Sequence, residues 1–261
     1  MKKAIVELLA KGGMAAPKIV YYEVTDSTNS RAKEYARKHS DRSAPVVFIA
    51  DSQSAGRGRR GRSFVSEEGA GLYISILFYP ALSPERVTEA TAYSAVILRR
   101  AIAAASGLSP SIKWVNDLYL QGKKLSGILC ECEFSKNKKN PAIIAGMGIN
   151  IYKNAITEEI ADIATSIEHE SELRISREAL AARLIEEFLF SLSSLGSDEL
   201  LTEYRNASLI LGKRITVFPV LGEPYEAVAT EILDDYTLLA TLPDGTKQIL
   251  NSGEISAKIK S

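Results

Sequence analysis

The stretch IKWVNDLYLQGKKLSGILCECEF, residues 112–134, decides what kind of sheet this chain builds. It holds three short apolar runs, 112–115, 118–120 and 125–134, interrupted by Asn116-Asp117 and by Gln121-Gly122-Lys123. Runs this short, punctuated by Asn, Asp and Gly, read as strands joined by tight turns. A further run, 142–151, follows the polar segment 135–140, which reads as an exposed turn. No helical period separates these runs, so the set is a meander and not a βαβ series. Lys113 lies inside an otherwise apolar strand, where a charge must pair or reach a cleft. Trp114 and Asn116-Asp117 each have an ordinary reading, as core filler and hairpin turn. Together with Lys113 and Lys124, however, Asn116 and Asp117 lie on adjacent strands and can converge at one end of the sheet.

Upstream, 46–50 and 72–79 are strand-like runs, and between them residues 56–62 read GRGRRGR. Arginines supply fixed charge and forked donors suited to phosphate or carboxylate, and glycines let the backbone come close to a ligand. Such a loop either wraps an anion or lies in solvent as a basic patch. Nucleic-acid patches interleave stacking aromatics, and here Phe64 stands alone. Residues 19–22 form a strand, and Asp26-Ser27-Thr28-Asn29 cap a helix over 31–38. Those capping side chains would equally suit a polar ligand or an anion. The alanine-rich stretch to Ala105 reads as a helix buried against the sheet, opening at Pro84 and ended by Gly107 and Pro110. In Gly146-Met147-Gly148-Ile149-Asn150, glycines inside a strand mark either a bulge or a close approach.

Residues 1–13 read as a short amphipathic helix or a tail ending at Gly12-Gly13. Thr157-Glu158-Glu159 reads as a cap and first helical turn. The clearest helical period runs over 176–195, with Leu180, Leu184, Phe188, Leu192 and Leu195 on one face, and a shorter helix follows over 197–207. Beyond Leu209 the texture changes to short strands at 215–218, 227–233, 238–242 and 247–250, spaced as in a small barrel. An α+β body is thus followed by an all-β cap.

The 261 residues suffice for one large domain with a small appendage, and 46% hydrophobic with 25% charged residues is ordinary globular composition. Lys+Arg and Asp+Glu both number 32, so no global charge draws the chain to nucleic acid or anionic membrane. Cys130 and Cys132 share a strand face and read as small packing groups. His39 and His169 lack a ligand motif, so no metal site is expected. The N-terminal apolar run is interrupted by Glu7 and no run is long enough to span a membrane, so cytoplasm is the expected location. Neither a Walker nor a dinucleotide fingerprint is present.

Ser27-Thr28-Asn29, Gln53, the arginine loop, residues 113–117, 124–129, Gly148-Ile149-Asn150 and the closing 252–256 resemble, in order and spacing, the motif set of biotin–protein ligases. The resemblance covers the chain from about residue 21 onward. It implies a class II synthetase-like catalytic domain, with mixed and antiparallel strands and flanking helices, over 21–208. A tail or short helix would precede it at 1–20, and an SH3-like C-terminal barrel would follow at 209–261. The implied reaction activates biotin with ATP and Mg²⁺ to biotinyl-5′-AMP. It then transfers biotin to a lysine of a biotin carboxyl carrier protein, a subunit of acetyl-CoA carboxylase or a related carboxylase. By the same resemblance, Ser27, Thr28, Asn29, Gln53, Arg57, Gly58, Arg59 and Lys124 hold biotin. Arg57, Arg59, Arg60, Phe64, Lys113, Asn116, Asp117 and Asn150 hold ATP, and Lys113 and Arg59 act in catalysis.

Phe64 and Val115 stand where the family usually has Trp and Pro. Residues 1–20 are too few for a winged helix-turn-helix, so no operator DNA is expected as a partner. Edge-strand homodimers are common in the family. Lipoate–protein ligation is the nearest rival reading, and an RNA-binding module without enzymatic activity is the rival of a different class.

Overall fold

The computed structural model describes residues 1–39, 41, 43–80, 86–134, 141–171, 173–219, 222–251 and 254–257. Its framework is a seven-stranded sheet formed by β1 (Lys18–Thr25), β2 (Val46–Gln53), β3 (Gly71–Phe78), β4 (Ser111–Lys113), β5 (Asp117–Leu120), β6 (Lys123–Glu133) and β7 (Ala142–Asn150). The spatial order is β1-β2-β3-β7-β6-β5-β4. The meander from β4 to β7 is present as read, and the β5–β6 hairpin turns on Gln121 and Gly122, with φ of 47° and 78°. Two consecutive positive φ values match the right-handed twist of the flanking strands.

The mixed character comes from β1 and β2, which are parallel and joined by α2 (Thr28–Lys38). Parallel neighbours need a crossover of this kind. Every residue of β3 is buried, as expected of a central strand covered on both faces.

One face carries α3 (Val87–Ser106), with α5 (Arg177–Phe190) and α1 (Lys2–Lys11) behind it. Fully buried Phe188 of α5 meets Phe78 and Tyr93 edge-on at 5.2 and 4.9 Å. The opposite face carries α2 over Val46, Phe48, Leu77 and Ile144, and beyond the start of α2 it is open. That opening is where the site lies.

Several sequence expectations are corrected. Residues 157–159 start no α-helix; a single 3-10 turn spans Glu158–Ile160, and the chain then runs beside β6. Lys124 N–H donates to Ile163 O and Thr165 N–H to Lys124 O, both at 2.9 Å, so the backbone finds partners in a strand-like bridge instead of a helix. The helix read over 176–195 ends at Phe190 and gives way to a 3-10 turn over Ser191–Ser194. The serines there compete for the backbone, Ser194 Oγ donating to Ser191 O at 2.7 Å. A four-residue helix, α4 (Ile167–Glu170), precedes it, and α6 (Asp198–Asn206) follows. Pro84, the turn 135–140 and Ser252-Gly253 lie outside the described residues.

The C-terminal strands β8 (Arg214–Phe218), β9 (Tyr225–Ile232), β10 (Leu238–Thr241), β11 (Lys247–Leu250) and β12 (Glu254–Ala257) form a separate antiparallel sheet, ordered β11-β10-β9-β8-β12. Trp114 Nε1 donates to Tyr236 O at 2.8 Å and Tyr204 Oη to Val115 O at 3.0 Å. These bonds satisfy polar groups at the seam between the two sheets. The Trp114–Val115 peptide is cis.

Cys130 and Cys132 are free thiols on β6, as expected of packing groups, and Cys130 Sγ lies 3.7 Å from Ser94 Oγ. Burial pushes both thiols up to about 11. In the folded protein near pH 8, alkylation of either is expected to run about a hundredfold slower than for a free thiol, because the thiolate is the reactive form. Mass spectrometry of iodoacetamide-treated protein before and after denaturation checks this, and equal rates would contradict the burial.

Candidate active site

A cleft of about 340 Å³ opens at the C-terminal end of β1 and β2, between the start of α2, residues 57–64, and strands β4 to β7. Its construction begins with α2. Ser27 is the helix N-cap, yet its side chain makes no capping bond; it is 3% exposed and lines the cleft. Capping therefore does not account for this hydroxyl. Thr28 N–H donates to Gln53 Oε1 at 2.8 Å, and Gln53 Nε2 donates to Ser66 Oγ at 2.9 Å. Asn29 Nδ2 donates to Leu129 O at 3.1 Å and to Glu131 Oε2 at 2.9 Å, while Asn29 Oδ1 lies 2.6 Å from Ser75 Oγ. Asn29 thus uses both amide hydrogens within the protein and holds α2 to the sheet.

The glycines of β7 explain themselves against this frame. A Cβ at Gly146 would lie 2.0 Å from Asn29 Oδ1, and one at Gly148 would lie 2.5 Å from Phe64 Cε1. Pairing of β7 with β3 and β6 continues without a register shift, so close approach, not a bulge, is what these glycines permit.

The arginine stretch is a small hairpin. Gly58 N–H donates to Arg62 O at 2.7 Å and Phe64 N–H to Gly56 O at 2.9 Å, with a 3-10 turn over Arg59–Gly61 at the tip. Gly56 has no room for a side chain, since a Cβ there would lie 2.3 Å from Phe64 O. The hairpin delivers Arg57, Gly58, Arg59, Arg60, Arg62 and Phe64 to the cleft wall. Arg59 donates to Asn116 Oδ1 at 3.0 Å, and Arg60 reaches Phe218 O of the C-terminal sheet at 3.3 Å. Across the cleft, Lys124 Nζ lies 2.8 Å from Asp117 Oδ2. Lys113 Nζ lies 3.4 Å from Tyr119 Oη and 5.1 Å from the centre of that ring. Burial, then the Asp117 charge, pushes the Tyr119 hydroxyl up to about 12, so it stays protonated beside Lys113.

The cleft brings together Ser27, Thr28, Asn29, Gln53, Arg57, Gly58, Arg59, Arg60, Phe64, Lys113, Asn116, Asp117 and Lys124 from the sequence expectation. Asn150 is the exception. It is 7% exposed, donates from Nδ2 to Thr165 O at 3.1 Å, and is absent from the lining. Sequence reasoning missed Ser75, Ser66, Tyr119 and Glu131. A hydroxyl in the apolar run of β3 and a carboxylate between two half-buried cysteines were the available signals. Among the described residues, six cations, Arg57, Arg59, Arg60, Arg62, Lys113 and Lys124, line the cleft against one carboxylate, Asp117. An excess of this size selects an anion carrying several charges. Among the described residues, no group of three or more His, Cys, Asp and Glu is placed to hold a metal.

Residues 21–150, which hold every lining residue of the cleft but Ile163, match the Biotin/lipoate A/B protein ligase family. The chain carries a domain of that family. Over 169 residues it is 34% identical to the bifunctional ligase/repressor BirA of Bacillus subtilis, an alignment covering 64% of this chain and 51% of that one. This chain therefore matches about half the length of that relative. It is 28% identical to the biotin–[acetyl-CoA-carboxylase] ligase of Mycobacterium tuberculosis, over 88% of this chain and 85% of the relative. The biotin protein ligase from Aquifex aeolicus, solved with biotin and ATP, superposes with a TM-score of 0.75 at 25% identity, covering 92% of this chain and 98% of that one.

Gly146→Ala is expected to cost about 1–3 kcal/mol, because the methyl displaces Asn29 from Leu129 and Glu131 in a packed region. Urea denaturation measures it, and a loss within about 0.5 kcal/mol would mean that Asn29 does not need its place.

Proposed function

We propose that this chain ligates biotin to a lysine of a biotin carboxyl carrier protein through biotinyl-5′-AMP, using ATP and Mg²⁺. The observation that carries the reading is the meeting, in one cleft, of a polar cluster at the start of α2 with six cations of the hairpin and meander. The names of the relatives support the choice of acid. The ureido ring of biotin needs donors and acceptors in a shielded pocket, and Ser27, Thr28 and Gln53 form such a set. Lys124 stands further along, toward the carboxylate end.

In the first step a biotin carboxylate oxygen attacks the α-phosphorus of ATP, a P–O bond forms, and pyrophosphate departs with the electron pair of the broken bond. Two anions must approach each other, so fixed cations aimed at the developing charge lower the barrier. Lys113 and Arg59 take that role, with Arg57 and Arg60 on the surrounding phosphate oxygens. Phe64, at the base of the hairpin, packs over the intermediate. In the second step the carrier's lysine amine attacks the biotinyl carbonyl, an amide forms, and AMP leaves.

Mg²⁺ is usually held by one or two carboxylates together with phosphate oxygens and water. Asp117, beside Asn116, fits such a share. The metal neutralises phosphate charge when bound. Asn150 is assigned no direct contact. A cytoplasmic location accompanies the reading, and among the described residues no helix is long and apolar enough to cross a membrane. Homodimerisation through a sheet edge belongs to the same proposal, with β1 and β4 as the edge strands, and sedimentation velocity tests it.

The deciding experiment supplies biotin or lipoate, singly and in competition, with Mg-ATP, and reads pyrophosphate release and the mass of the bound adenylate. Biotinyl-AMP is the expected product. Turnover with lipoate alone would transfer the reading to the rival acid. RNA binding without adenylate would overturn the enzyme.

Lys113→Ala is expected to slow adenylate formation by about 10²–10³-fold, the usual cost of removing one charge-stabilising donor. Arg59→Ala should instead let the adenylate escape, read as free biotinyl-AMP in the medium. If both variants form and retain adenylate normally, these roles are wrong.

A further inference from the structure

Glu131 of β6 has no part in the chemistry above, yet three side chains from two different segments converge on its carboxylate. Oε2 accepts from Asn29 Nδ2 at 2.9 Å, while Oε1 lies 2.5 Å from Lys33 Nζ and 3.3 Å from Arg57 Nη2. Two strand positions along, Glu133 takes Arg37 at 2.8 Å. Asn29, Lys33 and Arg37 recur at i, i+4 and i+8, so one face of α2 is laddered onto the acidic positions of β6. That ladder is complete without the hairpin. Arg57 is an additional partner arriving from a different segment, and it lines the cleft.

Exposure makes the asymmetry informative. The Glu131 side chain is 15% exposed and Arg57 45%. A shielded carboxylate needs compensating charge wherever it finds it, whereas a half-exposed arginine would otherwise sample many rotamers. The carboxylate therefore has more influence on where the arginine sits than the reverse.

We propose that Glu131 is a positioning residue: it tethers the first arginine of the hairpin to the strand beneath and sets where Arg57 meets the carboxylate end of the bound acid. The second half rests on the biotin-ligase reading, and the tether does not.

Two variants separate this from simple anchoring of α2. Glu131→Gln keeps an acceptor for Asn29 and removes the charge; Lys33→Met removes the other cation on Glu131 and leaves Arg57 paired. Tryptic cleavage after Arg57, Arg59, Arg60 and Arg62, mapped by mass spectrometry on the ligand-free protein, reads the hairpin directly. Glu131→Gln should be cut about fivefold faster than the parent and Lys33→Met within about twofold, the range expected for loss of one partly exposed ion pair. An unchanged rate in Glu131→Gln, or the same rise in both variants, overturns the tether. If Glu131→Gln does not fold, Arg57→Gln must raise cleavage at the remaining arginines by a similar factor.

With biotin as substrate, Glu131→Gln should raise KM about fivefold with kcat within about twofold, and adding Arg57→Ala should raise it no further than Arg57→Ala alone. A normal KM in a protein whose hairpin is loosened removes the positioning role. If the parent protein forms no biotinyl-AMP, the functional reading fails and the proteolysis still decides the tether.

Discussion

Six cationic side chains line one cleft against a single carboxylate, and charges of one sign gathered that closely repel unless each is restrained. Four of the restraints are visible. Asp117 holds Lys124 at 2.8 Å, Glu131 holds Arg57 at 3.3 Å, the Asn116 carbonyl takes Arg59 at 3.0 Å, and Tyr119 offers its hydroxyl and ring to Lys113. None of these partners matches the charge of a polyphosphate. An incoming anion of several charges would therefore meet cations that are already oriented, which is what preorganisation requires. The remaining architecture can be understood as support for that arrangement.

Support begins in β7. A strand in mid-sheet ordinarily avoids glycine, but Gly146 and Gly148 let Asn29 and Phe64 lie flat against the backbone. Asn29 is then bonded to β6 twice, and Thr28 is carried along to meet Gln53. Ser75, fully buried in β3, reaches both Thr28 and Asn29. Polar groups in such a network are costly unless all are satisfied, so the network specifies one arrangement of α2, β2 and the hairpin base.

The C-terminal sheet is joined to the same machinery. Trp114 follows the cleft's Lys113 and donates its indole N–H to Tyr236 O, while Arg60 at the hairpin tip reaches Phe218 O. One contact is in the core and the other at the rim, so the position of the small sheet is tied to both sides of the site. A tryptophan that reads as core filler is also the bond between two units of the fold.

Local chemistry carried much of this into the sequence. The meander was legible because Asn116-Asp117 and Gln121-Gly122 interrupt short apolar runs, whereas GRGRRGR read only as a cationic loop and its hairpin form came from the structure. The ordered motifs resembling biotin–protein ligases named most of the residues that line the cleft. Less legible were features whose cause lies far along the chain. The parallel pairing of β1 with β2 depends on how α2 crosses over, the 158–165 segment takes its partners from Lys124, and Asn150 turns to Thr165. Glu131 reads as an ordinary strand residue until Lys33 and Arg57, distant in sequence, arrive beside it. Sequence alone determined which segments form strands, turns and a cationic loop, since those follow from neighbours a few positions apart. Which charge faces which partner was decided only by tertiary packing, because electrostatic pairing depends on separation in space, and the chain's order does not encode it.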